Sequence, residues 1–246
     1  MPDVVLKAEH VTKRFGGITA LENAELELYK GEVHALVGAN GAGKSTLIKI
    51  ITGAYPKDEG EIYLDGKQIE VKSTFDAREK GISAVYQEFS LINTVSVAEN
   101  IFMGKLLYNN LGPIPRADWK KMHEETQKIL DSLGVINIKP ETIVGRLSVA
   151  QKQMVEIAKA LSNDLKVLIM DEPTASLSDN EIDNMFKIVK DLRAKGISII
   201  YVSHRLEELP IICDRISVYR DGHYIKTLNI DCLLYTSPSP RDISGS

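Results

Sequence analysis

The 246-residue sequence has little cysteine, a single tryptophan and no long apolar run. Its two cysteines, Cys213 and Cys232, lie far apart, which excludes a disulfide framework and gives no zinc-site spacing. No apolar stretch approaches the roughly 20 residues that a membrane-spanning helix requires. The first residues, MPDVVLKAEH, also lack the charged-then-apolar layout of a signal peptide. These absences predict an intracellular chain.

The sequence also has no excess of positive charge. The formal net charge is −4 at pH 7, from 30 Lys and Arg against 34 Asp and Glu, which argues against nucleic acid as the partner. The composition is that of an ordinary globular protein, with 43% hydrophobic and 26% charged residues. A chain of this length has enough material for one or two domains with a sizeable core.

The last fifteen residues, CLLYTSPSPRDISGS at 232–246, differ from everything before them. They are rich in Ser and Pro and have no periodicity, which is typical of a disordered terminus. Residues 232–242 also resemble the translation of a transposon adaptor used for sequencing libraries. On that interpretation the natural protein is visible only to about Asp231, as a fragment of a longer reading frame. We therefore expect one domain at 1–231 and a disordered, non-native tail at 232–246.

The front of the chain is predicted to be rich in antiparallel strands. VVLKAEHV (4–11) and AELELY (24–29) alternate apolar and polar residues, as half-buried strands do. EIYLDGKQIEV (61–71) predicts a hairpin that turns at Asp65-Gly66, since Asp-Gly suits the left-handed positions of a tight turn.

The second half of the sequence predicts a parallel sheet. KVLIM (166–170) is a short all-apolar run, typical of a strand buried on both faces, and a helix and the strand ISIIYVSH (197–204) follow it. From about 88 to 164 helical patterns dominate, including an amphipathic helix predicted over 116–134. The sequence thus predicts an α/β core that a helical insertion interrupts.

The stretch GANGAGKST fits the phosphate-loop pattern G-x-x-x-x-G-K-[ST], and it lies between a predicted strand and a predicted helix. Its glycines let backbone N–H groups surround phosphate oxygens, and the helix start adds a partial positive charge. Lys44 is then placed for the β- and γ-phosphates, and the Ser45 hydroxyl for Mg²⁺. The alternative is a glycine-rich turn that only caps a helix. The candidate nucleotide-binding residues of this loop are Gly38, Asn40, Gly41, Gly43, Lys44, Ser45 and Thr46.

Two carboxylates follow the apolar strand in KVLIMDEPT. Ligands of open α/β sheets bind at the carboxyl ends of the strands, so Asp171 and Glu172 are predicted to lie near the phosphate loop. Asp171 suits the Mg²⁺ shell, and Glu172 suits a general base that polarises an attacking water. The alternative is an ordinary helix-start turn in which acids favour the helix dipole.

Three further residues are candidates with simpler alternatives. His204 follows another strand and can reach a γ-phosphate there, although a lone histidine is often structural. Gln87 in VYQEFSL precedes the helical insertion, where it can contact Mg²⁺ or water and sense the nucleotide, or be an ordinary loop residue. Phe15 stacks on adenine or fills the β-rich subdomain, and the sequence does not choose between the two.

The stretch LSVAQKQMVEIAKALS raises a question about its helix start. Ser148 and Gln151 have the spacing of a capping box, which by itself explains both residues. Ser178 and Glu181 repeat this spacing before the next predicted helix. An unfilled helix start is also an anion site, so capping and phosphate binding are compatible.

Taken in chain order, these motifs resemble the ABC-type ATPase family over nearly all of residues 4–230. The order is Phe15, the loop at 38–46, Gln87, the helix start at 147–151, Asp171-Glu172 and His204. The resemblance implies ATP and Mg²⁺ as ligands, with Ser45, Gln87 and Asp171 near the metal and Glu172, His204 and Gln87 in catalysis. It implies a P-loop NTPase fold with a parallel-sheet core, an N-terminal antiparallel β subdomain and an inserted helical subdomain.

In that family the signature, usually LSGGQ, contacts the γ-phosphate of ATP held by a second nucleotide-binding domain. The resemblance therefore implies that Ser148, Ala150 and Gln151 contact ATP in trans. Three residues depart from the usual pattern: Val149 and Ala150 replace the two glycines, and Ser178 stands where the usual EPTSALD has Asp. The added methyl group of Ala150 is expected to weaken the phosphate contact.

Three segments, SVAENIFMG (96–104), LSVAQ and MDEPTASLSDNEI, resemble the corresponding sequences of one branch of the family, the ATP-binding subunits of ribose-, galactose- and xylose-type importers. Members of that branch fuse two nucleotide-binding domains in one chain, of which this sequence shows the first. The implied partners are the second domain, permease subunits and, indirectly, a sugar-binding protein. The implied location is the cytoplasmic face of the cell membrane.

Three alternatives remain at this point. The chain is a single-domain importer ATPase for another solute, such as amino acids, or a non-transport ABC ATPase that acts on ribosomes or DNA. The third alternative is a nucleotide-binding switch without turnover, against which the full set of Lys44, Asp171, Glu172 and His204 argues.

Overall fold

The computed structural model describes residues 3–109 and 116–231. The strands are β1 (Val4–Phe15), β2 (Ile18–Tyr29), β3 (Val33–Val37), β4 (Glu59–Leu64), β5 (Lys67–Ile69), β6 (Ile82–Val85), β7 (Tyr108–Asn109), β8 (Arg116–Ala117), β9 (Val167–Asp171), β10 (Ser198–Val202), β11 (Arg215–Arg220) and β12 (His223–Asn229). The helices are α1 (Lys44–Ile51), α2 (Thr74–Glu79), α3 (Val97–Ile101), α4 (Trp119–Ser132), α5 (Val149–Leu161), α6 (Asp179–Ala194) and α7 (Leu209–Ile212). None of the helices in these two stretches is long and apolar enough to span a membrane.

Ten strands form one sheet in the order β5-β4-β1-β2-β12-β11-β3-β10-β9-β6. The half from β11 through β3, β10 and β9 to β6 is parallel, whereas β5, β4, β1 and β2 pair antiparallel. A bridge between His223 of β12 and Glu22 of β2 joins the two halves. The predicted parallel core and antiparallel front are therefore confirmed.

Strand β9 lies between β10 and β6 and is buried on both faces, as its all-apolar sequence predicts. Leu168 and Met170 contribute to the core beneath α5 and α6, and Val167 and Ile169 contribute to the core beneath α1 and β1. This alternation follows from the two-residue period of a strand. It anchors β9 firmly, so that the acidic residues at its carboxyl end have a fixed position.

The helical insertion is confirmed between β6 and β9, where it consists of α3, α4, α5 and the short hairpin β7–β8. The helix predicted over 116–134 was too long at its start, because Arg116–Ala117 belong to β8 and α4 begins at Trp119. The Asp118 side chain accepts a hydrogen bond from the Lys121 N–H at 3.0 Å and so caps the helix there.

The strand predicted over 197–204 is shorter in the structure. It runs from Ser198 to Val202, where Val202 pairs with Asp171 of β9 on one side and Leu36 of β3 on the other. His204 therefore lies in the loop after the strand. The sequence did not predict β11 or β12.

The hairpin turn at Asp65-Gly66 is confirmed, with φ values of +49° and +74°. Both predicted capping boxes are also present, at the starts of α5 and α6. The tail predicted over 232–246 lies outside the described residues.

Candidate functional site

A cavity of about 870 Å³ lies where β9 and β10 end and α1 begins. It gathers most of the residues predicted to bind phosphate and metal. From the loop before α1 and its first turn, the lining residues are Asn40, Gly41, Gly43, Lys44, Ser45 and Thr46. From the segments after β6 and at the end of β9, they are Gln87, Asp171 and Glu172.

The Lys44 ammonium group closes the phosphate loop on itself. It donates hydrogen bonds to the carbonyl oxygens of Gly38 at 2.7 Å and Ala39 at 3.1 Å. Partial burial lowers the Lys44 pKa, and the carboxylates of Asp171 and Glu172 oppose that shift. An anion in the cavity would stabilise the charged lysine, so the loop is preorganised for a phosphate group.

Two glycines let the loop pack closely against the strands beneath it. A Cβ at Gly38 would lie 2.3 Å from the Tyr219 carbonyl oxygen, and one at Gly43 would lie 2.7 Å from a methyl of Leu21. Gly41 differs, because its Cβ position faces open space while its φ is +82°. Gly38 and Gly43 are therefore fixed by close packing, and Gly41 by its backbone conformation.

The two acidic residues at the end of β9 differ in what is unusual about them: the side-chain pKa of Asp171 and the backbone conformation of Glu172. Burial and the neighbouring Glu172 carboxylate raise the pKa of Asp171, and Lys44 opposes this without cancelling it. Glu172 has a left-handed backbone, with φ of +50°, and its N–H donates to the Val202 carbonyl at 2.9 Å. Strained conformations of this kind concentrate at functional sites, where surrounding contacts hold them.

His204 lies beside Glu172. Its Nδ1 atom is 3.2 Å from Oε1 of Glu172, although His204 follows a different strand and its side chain is 61% exposed. The imidazole does not line the cavity itself, whereas the Glu172 side chain, 25% exposed, does.

Gln87 lies two residues after β6 and lines the cavity. The segment that follows it is tied to the helical insertion, because Glu156 of α5 accepts hydrogen bonds from the Ser90 N–H at 2.5 Å and the Ser90 hydroxyl at 3.1 Å. Glu156 is 6% exposed. A movement of α5 would therefore displace the segment that carries Gln87.

Phe15 does not line the cavity. Its ring is 42% exposed and stands edge-on to Tyr55 with 5.3 Å between ring centroids, while the Lys13 ammonium lies 5.4 Å from its centroid. Nearby Thr19 and Ala20 line the cavity instead.

The residues predicted to act in trans also lie outside the cavity. Ser148 and Gln151 cap the start of α5, since the Ser148 N–H donates to Gln151 Oε1 at 3.0 Å and the Gln151 N–H to Ser148 Oγ at 3.2 Å. Ser148 is exposed, Ala150 is half-buried, and Val149 between them is 45% exposed. The helix start is therefore capped and still accessible from outside.

Sequence reasoning missed the far wall of the cavity. Asp221 and Gly222, in the turn between β11 and β12, line it together with Thr19 and Ala20 from the start of β2. The Gly222 carbonyl accepts from the Glu22 N–H at 2.8 Å, which holds the two segments together. The Asp-Gly pair was a turn signal in the sequence, but nothing local placed it beside the phosphate loop.

The donor set suits magnesium that is bound jointly with phosphates. Within residues 3–109 and 116–231, no three His, Cys, Asp or Glu side chains come together as a protein-only metal site. Ser45 and Asp171 offer hard oxygen donors in the same cavity, and a nearby cation would ease the charge of Asp171. Magnesium is commonly held by one or two such ligands plus substrate phosphates and water.

Known proteins are similar in sequence to this chain over most of its length. The ribose import ATP-binding protein RbsA of Clostridium perfringens is 46% identical over 226 residues, which are 92% of this chain and 44% of that protein. The galactose/methyl galactoside import ATP-binding protein MglA of Clostridium tetani is 44% identical over 225 residues, again 92% of this chain and 44% of that protein. The chain thus spans less than half the length of these relatives.

Solved structures share the fold. A nucleotide-free ATP-binding cassette from an ABC transporter superposes with a TM-score of 0.83 at 29% identity, and the match covers 99% of each chain. A dimeric bacterial ABC transporter cassette gives a TM-score of 0.76 at 25% identity, covering 92% of this chain and 98% of that one. The family described as ABC transporter matches residues 21–175, which is more than half of the sequence. The chain therefore belongs to the ABC transporter family.

Proposed function

We propose that this chain binds ATP with magnesium and hydrolyses it to drive import of a monosaccharide through a membrane transporter. One observation carries the ATPase part of the proposal. The phosphate loop with Lys44, the acidic pair Asp171-Glu172 and Gln87 line a single cavity, although they come from separate parts of the sequence. Phosphoryl transfer needs this combination of phosphate cradle, metal ligand and water-orienting carboxylate.

Each residue has a distinct role in the proposed reaction. Lys44 leaves its carbonyl partners to bind the β- and γ-phosphates, and Asn40, Gly41, Gly43 and Thr46 line the cradle around them. Ser45 and Asp171, with Gln87, would hold the metal, which neutralises phosphate charge when bound.

Glu172 is the proposed general base. Its carboxylate accepts a hydrogen bond from the attacking water and directs that water at the γ-phosphate. We propose that His204, whose Nδ1 atom lies 3.2 Å from the same carboxylate, contacts the γ-phosphate and keeps Glu172 oriented. Phe15 stays a candidate for the adenine ring, because its face is partly exposed close to the wall formed by Thr19 and Ala20.

The site is proposed to be completed by a second nucleotide-binding domain. Ser148, Ala150 and Gln151 lie outside the cavity, at a helix start that is accessible from outside. A phosphate held by a partner domain would meet there the partial positive charge of α5. The dimeric structure of a similar cassette supports this arrangement.

The permease is proposed to dock in a groove of about 160 Å³ between α2 and the helical insertion. Phe75 and Met103 expose apolar surface there, and Arg78 and Lys105 line the same groove. Docking at this groove would place the chain at the cytoplasmic face of the cell membrane. The bonds from Glu156 to Ser90 would then connect the docked surface to Gln87.

The transported solute is proposed from the relatives. Their names describe ribose and galactose/methyl galactoside import ATP-binding proteins. We expect the natural reading frame to continue past Asp231 into a second such domain, as the greater length of those relatives suggests. No residue of this chain is expected to touch sugar, which the permease and an external binding protein would select.

The proposal is tested by assembling the full-length subunit with the permease encoded beside it in proteoliposomes. We expect Mg²⁺-dependent ATP hydrolysis that a sugar-loaded binding protein stimulates, together with uptake of a labelled pentose or hexose. Hydrolysis without sugar uptake would support an importer of another solute. Copurification with ribosomes rather than membranes would support a non-transport role, and nucleotide binding without any turnover would support a switch.

A further inference from the structure

Glu208 has one of the most completely bonded carboxylates in the described part of the chain, and it lies outside the cavity. It ends the 3-10 turn Leu206–Glu208 and is 4% exposed. Its Oε1 atom accepts from the Thr174 hydroxyl at 2.7 Å. Its Oε2 atom accepts from the Tyr201 hydroxyl at 2.9 Å and the Ser203 hydroxyl at 3.2 Å.

The donors belong to the two segments that carry the proposed reaction chemistry. Thr174 lies two residues after Glu172, and Ser203 immediately precedes His204. The two oxygens of Glu208 divide between these segments, since Oε1 binds the first and Oε2 the second. A single buried carboxylate therefore joins the loop after β9 to the loop after β10.

Two further contacts link the ends of β9 and β10. The Glu172 N–H donates to the Val202 carbonyl at 2.9 Å, and the His204 imidazole faces the Glu172 carboxylate at 3.2 Å. The left-handed backbone of Glu172 needs support from its surroundings to persist. The hydroxyls of Thr174 and Ser203 are buried with the carboxylate, at 2% and 3% exposure of their residues.

Donors and a cation surround the Glu208 carboxylate. Burial first, and then the Glu208 carboxylate, raise the pKa of Tyr201 well above its ordinary value, so the phenol keeps its proton and remains a donor. Arg205 places a guanidinium nitrogen 3.7 Å from Oε1, which offsets the buried negative charge. The neutral hydroxyl donors and this one cation hold the carboxylate in a single orientation.

We propose that Glu208 is a positioning residue for ATP hydrolysis, which fixes the position of Glu172 relative to His204. It acts through Thr174 and Ser203 and does not touch the nucleotide itself. This inference rests on the proposed ATPase function. The rate of a catalysed step depends strongly on the position of the catalytic groups, because a displacement of about 1 Å can cost roughly 100-fold in rate.

The first test is E208Q in the full-length subunit assembled with its permease. Glutamine keeps the shape, but its NH₂ group donates where the carboxylate accepted, so one hydroxyl partner has to turn round and the stronger, charge-assisted hydrogen bonds are lost. We expect kcat for ATP to fall about 10- to 100-fold, with KM for ATP and the Kd for a non-hydrolysable analogue changing less than about threefold.

A matched control is E32Q, at another buried glutamate. Glu32 is 5% exposed and accepts from the Tyr29 N–H at 2.7 Å, and it lines none of the cavity described above. We expect E32Q to lower the melting temperature while leaving kcat unchanged. A general effect of losing a buried carboxylate would instead lower kcat in both variants, which would overturn the proposal.

Variants of Thr174 distinguish a role in positioning the catalytic loops from a role in folding. T174V removes the hydroxyl at nearly constant volume, and T174S keeps it. We expect T174V to reproduce much of the loss in kcat, T174S to lose far less, and T174V/E208Q to lose little more than E208Q alone. Additive losses, or a fall in kcat that follows the melting temperature and ATP affinity together, would overturn the proposal.

The outcome also separates this inference from the ATPase proposal. If the wild-type assembly hydrolyses ATP and folded E208Q hydrolyses it at the same rate, only the role of Glu208 is wrong. If the wild-type assembly binds ATP without turnover, the ATPase function itself is wrong, and the positioning role falls with it.

Discussion

The Nδ1 atom of His204 lies 3.2 Å from Oε1 of Glu172, across the ends of two adjacent parallel strands. Neither residue lies in a strand interior that would carry a side chain there by periodicity. Glu172 reaches this position through a left-handed backbone, and His204 through a loop that begins after Val202. The pairing makes Glu172 the residue at which the proposed chemistry is most directly tested.

E172Q is expected to abolish steady-state ATP hydrolysis while ATP binding persists. The amide keeps the size of the side chain but cannot accept a proton from water, and general-base catalysis typically contributes about 10²- to 10⁴-fold. The measurement is phosphate release by the assembled transporter, paired with the Kd for ATP. E207Q, at an exposed glutamate outside the cavity, serves as the control and should retain wild-type kcat. Undiminished hydrolysis by E172Q would rule out this role for Glu172.

K44A is expected to weaken nucleotide binding rather than to unfold the protein. Lys44 is the cation at the phosphate loop, and hydrogen bonds to charged groups are worth about 1.5–3 kcal/mol, so we expect a 10- to 100-fold higher Kd. Its partial burial already disfavours the charged form, which limits any loss of stability. Titration calorimetry with ATP measures the effect, and K187A on the exposed side of α6 is the control. Equal affinities for K44A and K187A would contradict the assignment of the loop.

G38A and G41A are expected to fail in different ways. At Gly38 the new methyl group would meet the Tyr219 carbonyl oxygen at 2.3 Å, and a main-chain atom cannot rotate away. Overpacking of this kind typically costs about 1–3 kcal/mol, added to backbone strain. At Gly41 the methyl group would meet no atom within 4 Å, so only left-handed strain of about 1–2 kcal/mol applies.

Thermal unfolding and ATP titration distinguish these two glycine variants. G38A should lower the melting temperature more than G41A, whereas folded G41A should lose ATP affinity because Gly41 lines the cavity and alanine disfavours the left-handed backbone of the phosphate loop there. The reverse ranking of melting temperatures would show that the close approach at Gly38 is unimportant.

D171N is expected to stabilise the nucleotide-free protein at neutral pH and to weaken Mg²⁺-dependent ATP binding. Burial and Glu172 raise the Asp171 pKa above its ordinary 3.8, so the folded chain holds this proton to higher pH than the unfolded chain does. Folding stability therefore falls as pH rises from 3.8 through the raised pKa, and the penalty persists at pH 7. Asparagine carries no charge and avoids it.

The pH dependence of melting checks this prediction. D171N should melt above the wild type at pH 7, and the gap should close as pH approaches 4, with each 1 kcal/mol worth about 2–4 °C in a domain of this size. The exposed D191N on α6 should show neither effect. A lower melting temperature for D171N at pH 7 would mean that the Asp171 carboxylate stabilises the fold.

The sequence predicted local features well where one short stretch holds all the information. The phosphate loop, the capping box at Ser148 and the turn at Asp65-Gly66 each depend on residues a few positions apart, and all three patterns adopt the expected local form. The all-apolar run before Asp171 likewise identified a strand buried on both faces. The end of β10 was misplaced because strand length depends on where the neighbouring strands end.

The sequence by itself determined which residues can perform phosphate chemistry: Lys44, Ser45, Asp171, Glu172 and His204 stand in motifs whose residue types and spacing already indicate it. Only the tertiary structure decided which of them meet, and what supports them. The Asp221-Gly222 turn lines the cavity only because the fold brings it beside the distant phosphate loop. Glu208 accepts hydrogen bonds from Thr174 and Ser203 as a buried carboxylate, which no local sequence pattern identifies. The physical reason is that sheet order and the burial of polar groups are settled by packing between distant segments, which local spacing does not encode.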